Sequence, residues 1–371
     1  MGASGSEAAG RARVVIAHDY LTQRGGAERV VLAMARAFPT APIVTSLYEA
    51  PATFSDFAHR QVTTSVLQRS GLLRRHHRLG LPLYAPVFAH TQVDAELVVA
   101  STSGWAHGMA ATGRRLLYVH NTARWLYQVD DYLRGQRPAV QGLAHLLGSP
   151  LRRWDRAHGR SAELVLANSR TVRDRVARHW NVDAEVLYPP HAADVAAPRE
   201  AVGHIEPGYL LVVSRLVAHK QVDVVARAME HLPGQRLVVV GTGPEARGLR
   251  HEAPPNCSFV GSVSDAQLRW LYANCAALVS ASREDLGLAA LEAMAFGRPV
   301  CALRAAGFAE TVAEGENGVF FERSEPQQVR DAVVRLSRTP FDAGAIAAHA
   351  ARFDEQSFAR RLQAFADQVL A

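Results

Sequence analysis

Short apolar runs alternate with amphipathic stretches along most of this chain, and that alternation restricts the folds open to it. The run "RVVIAHDYL" is followed by a helical stretch, and similar runs recur at "APIVTSLY", "AELVVAST", "RRLLYVHN" and "AELVLANS". Buried parallel strands are apolar on both faces and need helical crossovers between them. The pattern therefore predicts a mostly parallel sheet covered by helices.

The pattern stops between residues 188 and 208 and then starts again. This segment, "YPPHAADVAAPREAVGHIEPG", is rich in proline and has no hydrophobic periodicity. Strand candidates resume with "GYLLVVSRL", "QRLVVVGTG", "NCSFVGSV", "CAALVSAS" and "RPVCALRA". We therefore expect two Rossmann-like, doubly wound α/β domains, 13–195 and 205–353, facing each other across a ligand-binding cleft. The amphipathic segment 354–371 is expected to be a helix that packs back across the domain junction.

The composition indicates a soluble globular protein, and the cysteines imply neither a metal site nor a disulfide; no cofactor is expected. The 371 residues are 48% hydrophobic and 20% charged, and no apolar run is long enough to span a bilayer. The amino-terminal "MGASGSEAAGRAR" lacks the apolar core of a signal peptide. It matches a myristoylation pattern, but we interpret the segment as a Gly/Ser/Ala-rich tail. Cys257, Cys275 and Cys301 have no C-x-x-C spacing and are expected to be reduced thiols. These features predict a cytoplasmic protein.

The densest polar signal is "SASREDLGLAALEAMAFGRPV", in which a strand leads into a polar loop and then a helix. The loop holds Glu284 and Asp285, and the helix opens near Gly287. Its first amides are unpaired at the positive end of the helix dipole, so they can bind an anion. Glu292 projects from the same face as the first turn. Carboxylates beside an anion site suit a ligand with both hydroxyls and phosphates, such as a nucleotide sugar.

The segment "SRLVAHKQVD" contains Lys220, the only lysine in a sequence with 41 basic residues. It follows the apolar run "YLLVV", where a doubly wound domain places ligand-binding groups. An ammonium delivers a compact charge where a guanidinium is too wide, whereas Arg215 can hold two oxygens in a planar fork. We expect both cations to bind a diphosphate and to stabilise its charge as it leaves.

These motifs resemble those of the retaining glycosyltransferases of family 4, which have the GT-B fold. Glu284 and Glu292 have the family's E-x7-E spacing, and "SRLVAHK" resembles its Arg-x4-Lys diphosphate loop. "HDYLTQRGGAERV", "YVHNTARWLY" and "ANSRTVRDRV" resemble further family segments in the family's order. The likeness extends from about residue 13 to the end and is strongest to the bacterial mannosyltransferase branch.

The resemblance implies a role for each matching position. Glu284 would contact the transferred sugar, Glu292 the ribose, and Arg215 with Lys220 the diphosphate. The amides of Gly287, Leu288 and Ala289 would bind phosphate, and Ser262 and Val263 would contact the nucleotide base. Gly25 and Gly26 would line the cleft, and His120 would face the sugar. Two segments depart from the family pattern. Leu286 replaces a common aromatic beside the sugar pocket, and Asn121-Thr122-Ala123 replaces a proline-containing turn near the acceptor.

Other polar features favour structural explanations. Asp130-Asp131 is typical of a solvated helix face, and the resemblance implies that no metal is needed. Gly241-Thr242-Gly243 lacks the third glycine of a dinucleotide fingerprint and is expected to be a plain strand-to-helix turn. The arginines lack interleaved aromatic residues, so a nucleic acid is not an expected partner.

Charge is distributed unevenly along the chain. Residues 1–190 hold 23 arginines and 14 acidic residues, a net of +9, whereas the remainder has a net of −3. From Phe57 to Val93 there are five arginines and no acidic residue. Basic and apolar residues together suit docking on anionic lipid. A contact between the two domains would use the same residues, so both explanations remain open.

The sequence thus predicts a retaining glycosyltransferase that moves a sugar to a hydroxyl of a glycolipid, polysaccharide or natural-product acceptor with an α linkage. The resemblance favours GDP-mannose as donor, with UDP-glucose or UDP-N-acetylglucosamine as the alternative. A GT-B nucleotide-sugar epimerase and a glycogen-type phosphorylase share the fold, but a phosphorylase would need a pyridoxal-binding lysine in addition to Lys220. A non-catalytic binding protein would be expected to lack Glu284 or Lys220.

Overall fold

The computed structural model describes residues 12–127 and 138–371, so the amino-terminal tail and the Asp130-Asp131 pair lie outside it. Contacts divide the chain into two units. The first contains the described residues up to Tyr188 together with Phe358–Ala371, and the second is Pro189–Ser357. Each unit has a parallel β-sheet with helices on both faces. The predicted fold class, two doubly wound α/β domains, is confirmed.

Strands and helices alternate along much of both units. The strands are β1 (Ala12–His18), β2 (Ile43–Thr45), β3 (Val62–Thr64), β4 (Gln92–Val93), β5 (Ala95–Thr102), β6 (Ala110–Ala111), β7 (Arg114–Val119), β8 (Leu164–Ala167), β9 (Glu185–Val186), β10 (Leu210–Val213), β11 (Leu237–Val240), β12 (Cys257–Gly261), β13 (Ala277–Ser280), β14 (Val300–Leu303) and β15 (Gly318–Phe321). The helices are α1 (Gly26–Ala37), α2 (Gly71–Arg75), α3 (Leu81–His90), α4 (Arg124–Tyr127), α5 (Pro138–Arg160), α6 (Arg170–Trp180), α7 (Val222–Ala228), α8 (Ala246–Glu252), α9 (Asp265–Asn274), α10 (Leu288–Ala295), α11 (Phe308–Thr311), α12 (Pro326–Arg338), α13 (Ala343–Ala351) and α14 (Glu355–Leu370). Short 3-10 helices include Val66–Arg69, His77–Gly80 and Ala218–Lys220.

The sheet of the first unit has the order β3-β2-β1-β5-β7-β8-β9, and its paired strands are parallel. In the central strand, Ile16 lies opposite Ile43 on one side and Val99 on the other. Neighbouring residues of a strand point to opposite faces. Ile16 therefore lies in one core cluster and Val15 in the other, which explains why β1 is apolar from Val14 to Ala17.

Helix α14 completes one of these two cores. Phe358, Leu362, Ala366 and Val369 recur every three or four residues, so they form one buried stripe. The stripe packs in the same cluster as α1 and the strand residue Ile16. The last turns of the sequence are therefore part of the first unit.

The sheet of the second unit has the order β12-β11-β10-β13-β14-β15, again with parallel pairs. Helices α7 and α12 cover one face through Val225, Val329 and Val333, among others. Helices α10 and α13 pack together on the other side, and α10 contacts β13 and β14. Within the described residues, no helix is long and apolar enough to cross a membrane.

We expect Leu362→Ala to destabilise the first unit by roughly 2–5 kcal/mol, because it removes a fully buried side chain from its core. The variant should unfold at a lower temperature, or at a lower urea concentration, than the wild type. Gln368→Ala, on an exposed face of the same helix, is the matched control and should change stability by less than about 0.5 kcal/mol. Equal effects of the two substitutions would contradict the placement of α14 in this core.

Candidate functional site

The order of strands in the second unit places two loops side by side. Numbered within the unit, the sheet runs 3-2-1-4-5-6, and the order reverses between β10 and β13. Ligands of doubly wound sheets bind beside the carboxyl ends of strands at such a reversal. The loop after β10 contains Arg215 and Lys220, and the loop after β13 contains Glu284 and Gly287. The two predicted motifs therefore meet at one edge of the sheet.

Lys220 and Glu284 form a close ion pair between these loops. The Lys220 Nζ lies 2.6 Å from both Glu284 Oε1 and Oε2, so the ammonium donates to both carboxylate oxygens. The two side chains are only 18% and 23% exposed. An ammonium has three N–H donors, and two are used here. The third is not used by either of these bonds.

The carboxylate of Glu284 is held in place from its own loop as well. The Ser282 hydroxyl donates to Oε1 at 2.6 Å, and the Gly307 amide donates to the Glu284 carbonyl oxygen at 2.8 Å. Burial by itself would raise the pKa of Glu284. The charge of Lys220 and the hydrogen bonds from Lys220 and Ser282 outweigh burial and lower that pKa below 4.5. Glu284 is therefore an ionised hydrogen-bond acceptor at neutral pH.

Helix α10 begins beside this pair with a start that no side chain caps. Its N-cap, Gly287, has a φ of 86°, a left-handed conformation that favours glycine. A Cβ at this position would also lie 2.4 Å from the Phe308 ring. The first turn contains no acidic residue, so the amides near Leu288 and Ala289 keep their positive potential. The start of α10 therefore has the features that the predicted anion site requires, and anion binding there stays a prediction.

The other predicted carboxylate lies further along the same helix. Glu292 is half-buried and accepts a hydrogen bond of 2.7 Å from the Tyr272 hydroxyl of α9. Arg215 is exposed on the loop after β10. Leu286, which the sequence placed beside a sugar pocket, is 3% exposed and belongs to the interior. Its side chain therefore contributes to packing, and its place beside the sugar stays a prediction.

Ser262 and Val263 lie in the loop after β12, between Gly261 and the start of α9. Ser264 forms a capping box with Gln267, which fixes the end of this loop. Sequence reasoning missed the role of the neighbouring glycines at 241 and 243. A Cβ on Gly241 would lie 1.8 Å from the Ser214 carbonyl oxygen, and one on Gly243 would lie 2.1 Å from that of Leu216. These glycines let the loops after β10 and β11 pack backbone to backbone.

In the first unit, His120 lies at the end of β7 and is buried. Its Nε2 is 2.7 Å from the Ser101 hydroxyl, which also lies 3.1 Å from His18 Nδ1. Burial, followed by the neighbouring His18, lowers the pKa of His120 to about 3. His120 is therefore neutral and can form hydrogen bonds but does not supply a positive charge. The turn that follows His120, whose sequence differs from the family pattern, is held by α6, because Asn121 accepts a hydrogen bond from Arg175 at 3.1 Å.

The loop at Gly25 and Gly26 differs from the helix start at Gly287. Glu28, in the first turn of α1, is 1% exposed and points back toward Gly25, whose added Cβ would meet its Oε2 at 2.5 Å. Burial raises the pKa of Glu28, and nearby His18, Gln23 and backbone amides oppose that rise. The positive end of α1 is therefore already occupied by a carboxyl group of the same helix.

A buried network around Asp19 was not predicted from the sequence. The Asp19 carboxylate accepts hydrogen bonds from the amides of Ser103 and Ala106 at 2.6 and 2.7 Å. These contacts hold the loop after β5. The signal was present in "HDY", where an acid directly follows an apolar strand, but its partners lie more than 80 positions away in the sequence.

The network continues from the loop into α5 and α6. Thr102 Oγ1 is 3.1 Å from His107 Nδ1, and His107 Nε2 is 3.1 Å from Asp155 Oδ1. Asp155 Oδ2 accepts from Tyr127 and Trp180 at 2.8 and 2.5 Å. Tyr127 and Trp180 thus satisfy one oxygen of the buried Asp155, which would otherwise be costly to bury. The network therefore positions the loops on the carboxyl side of β5 and β7.

Comparison with known proteins agrees with the geometry of the second unit. Residues 207–339 match the family described as "Glycosyl transferases group 1". The matched residues include Arg215, Lys220, Glu284 and Glu292, and they also include the Ser262-Val263 loop. The match is to the group as a whole and does not single out the mannosyltransferase branch.

Curated relatives match part of the chain. Sulfoquinovosyl transferase SQD2 of Arabidopsis thaliana is 30% identical over 48% of this chain and 38% of its own length. The D-inositol 3-phosphate glycosyltransferase of Mycobacterium avium is 34% identical over 47% of this chain and 45% of its own length. The chain thus spans less than half the length of these relatives.

Solved structures match almost the whole chain. Anabaena HepE in complex with UDP-glucose gives a TM-score of 0.68 at 17% identity, covering 96% of this chain and 99% of that one. Sucrose-phosphate synthase from Thermosynechococcus elongatus gives a TM-score of 0.71 at 18% identity, covering 96% and 98%. These likenesses confirm the GT-B fold.

We expect Gly287→Ala to destabilise the second unit by roughly 2–4 kcal/mol, because left-handed strain and the Phe308 clash add together. Gly315→Ala is the matched control: its φ is 82°, but no atom lies within 4 Å of the added Cβ. It should cost only about 1–2 kcal/mol. In urea unfolding, Phe308→Leu combined with Gly287→Ala should cost less than the sum of the single changes. If the free-energy changes of the two single substitutions add up to that of the double variant, a clash between position 287 and Phe308 is excluded.

The lowered pKa of Glu284 predicts a pH-dependent stability. A carboxyl whose pKa is lower in the folded state stabilises the fold above its unfolded pKa, and this contribution is lost as pH falls through the folded pKa. Unfolding free energy should therefore fall below about pH 4.5, and less steeply in Glu284→Gln than in the wild type. Urea titrations at several acidic pH values measure this, with exposed Glu245→Gln as control. Parallel curves for all three proteins would contradict the prediction.

Proposed function

We propose that this protein is a retaining glycosyltransferase that uses a nucleoside-diphosphate sugar and transfers the sugar to a hydroxyl with an α linkage. The observation that carries the proposal is the Lys220–Glu284 pair beside the uncapped start of α10. Cation, carboxylate and helix amides are the groups that a phosphate and a sugar need at adjacent positions. The group 1 match over the same residues supports the proposal.

In the proposed reaction, the donor's anomeric C–O bond to the diphosphate breaks and a bond to the acceptor oxygen forms on the same face. The departing phosphate oxygen takes the acceptor's proton. Lys220, Arg215 and the amides of α10 stabilise the charge that grows on the diphosphate. Glu284 accepts a hydrogen bond from the transferred sugar while still paired with Lys220. One side chain thus couples the position of the sugar to that of the phosphate.

The remaining predicted residues complete the proposal. Glu292 would bind the ribose, and backbone groups of Ser262 and Val263 would contact the base. From the first unit, the neutral His120 would offer a hydrogen bond to the sugar, and Gly25 with Gly26 would lie on the acceptor side. Because the Glu28 carboxyl already occupies the start of α1, we assign phosphate binding to α10 rather than to the Gly25-Gly26 loop.

For the donor sugar, we propose GDP-mannose. The support is the resemblance of "RED" (283–285) and the helix that follows it to bacterial mannosyltransferases. UDP-glucose is the second candidate, because HepE, with the same fold, was solved with it. The acceptor would be a glycolipid, polysaccharide or natural product. A glycolipid acceptor would bring a cytoplasmic enzyme into peripheral contact with an anionic membrane.

A panel of donors tests this proposal. We expect the wild-type protein to release nucleoside diphosphate from GDP-mannose faster than from UDP-glucose or UDP-N-acetylglucosamine. Glu284→Gln should lower kcat/KM by at least about 100-fold, since it removes a charged acceptor at the reacting sugar. Nucleoside-diphosphate binding by calorimetry should survive in that variant.

Lys220→Arg separates charge from shape at the diphosphate. It keeps the positive charge but replaces a compact ammonium with a wide planar group, so we expect a loss of at least about tenfold in kcat/KM. Arg338→Lys, at the exposed end of α12, is the matched exchange and should leave the rate unchanged. Faster turnover of a UDP-sugar than of GDP-mannose would refute the proposed donor. If no donor is turned over, or if the donor sugar is only interconverted, the proposed glycosyl transfer is refuted.

A further inference from the structure

Exposed apolar side chains are concentrated in one segment of the first unit. In the described part of the chain, four of the five large apolar side chains that are most exposed lie between positions 66 and 83. They are Val66 (71%), Leu72 (61%), Leu79 (58%) and Leu83 (43%). Single exposed leucines are common on protein surfaces, but a concentration of them indicates an interaction site.

The same segment carries exposed positive charge. Arg69 and Arg75 are exposed, and no acidic residue occurs from Phe57 to Val93 to neutralise them. Arg74 is different, because it donates to Glu49 at 2.7 Å and to the Gln68 carbonyl oxygen at 2.8 Å. Its guanidinium is therefore committed within the protein, and Arg74 does not form one basic surface with its neighbours as the sequence suggested.

We propose that Val66, Leu72, Leu79 and Leu83, together with Arg69 and Arg75, form a docking surface for an anionic lipid bilayer. The headgroup region of such a bilayer accepts aliphatic side chains and arginines at the same time. A nucleic acid would pair with the arginines but would leave the aliphatic side chains in water. The complementarity of both charge and apolar surface therefore favours lipid.

The docking surface is fixed to the loop that leads to Gly25. His77 Nδ1 lies 3.0 Å from the Thr22 hydroxyl, and the His77 ring stacks on Tyr20 with 4.4 Å between centroids. The Tyr84 hydroxyl donates to the His77 carbonyl oxygen at 2.7 Å, and Tyr84 itself is fully buried. Docking would thus bring the loop after β1 close to the lipid. A hydroxyl acceptor carried by a lipid would enter on that side.

Vesicle binding tests the charged part of this surface. The full-length protein is sedimented with phosphatidylcholine vesicles that contain phosphatidylglycerol and with phosphatidylcholine vesicles alone. We expect binding to the anionic vesicles that weakens with added salt. Arg69→Ser with Arg75→Ser should lower the partition coefficient on the order of 20-fold, since each basic residue near an anionic surface contributes roughly fivefold. Arg247→Ser with Arg338→Ser, two exposed arginines of the second unit, should leave it unchanged.

A second variant tests the apolar part. Leu72→Ser with Leu79→Ser should lower the partition coefficient at least about tenfold at every salt concentration, because the apolar contribution is not screened. Val195→Ser, which changes an exposed apolar residue outside the segment, is the control. Melting temperatures of all variants should equal that of the wild type, because the substituted side chains are exposed. Nucleotide release without an acceptor lipid should also be unchanged.

Three outcomes would overturn the proposal. They are the absence of wild-type binding to the anionic vesicles, equal binding of the wild type and both segment variants, and equal binding to neutral and anionic vesicles. A lower melting temperature of the leucine variant, together with unchanged vesicle binding, would assign the surface to packing within the chain instead. Vesicle binding does not depend on glycosyl transfer, so failure of the proposed reaction would leave this result intact.

Discussion

The ion pair between Lys220 and Glu284 depends on the adjacency of two strands. The residues are 64 positions apart, and they meet because β10 and β13 are neighbours in the second sheet. The pair orders two loops at once, since Lys220 closes the loop after β10 and Glu284 belongs to the loop before α10. Without the partner, each group would remain a half-buried charge, which is unfavourable at low exposure. The site is thus organised before a ligand arrives.

Much of the fold followed from local patterns in the sequence. Fully apolar strands such as Val14 to Ala17 require cover on both faces, and the stripe of Phe358 and Leu362 requires a core to face. Such patterns are local, so a single sequence reveals them. The order of the strands is not local. Lys220 and Glu284 were each recognised as candidates, but their direct pairing became evident only from the sheet.

The contacts that sequence reasoning missed are those that join distant segments. Asp19 looked like a polar residue at a strand end, and its role depends on amides at Ser103 and Ala106. Gly243 looked like an ordinary turn residue until the backbone of Leu216 was placed against it. In each case the deciding neighbour is far away in the chain and has no signature near the residue itself.

The position of α14 has a consequence for how the chain is made. The second unit, Pro189–Ser357, is contiguous and can acquire its structure as soon as it has emerged from the ribosome. The first unit begins to emerge earlier but lacks Phe358, Leu362 and Val369, which belong to its core. Arg114 even donates a hydrogen bond to the Val369 carbonyl oxygen, across 255 positions. The half synthesised first is therefore expected to be completed last, and until then an apolar groove for α14 stays open to chaperones.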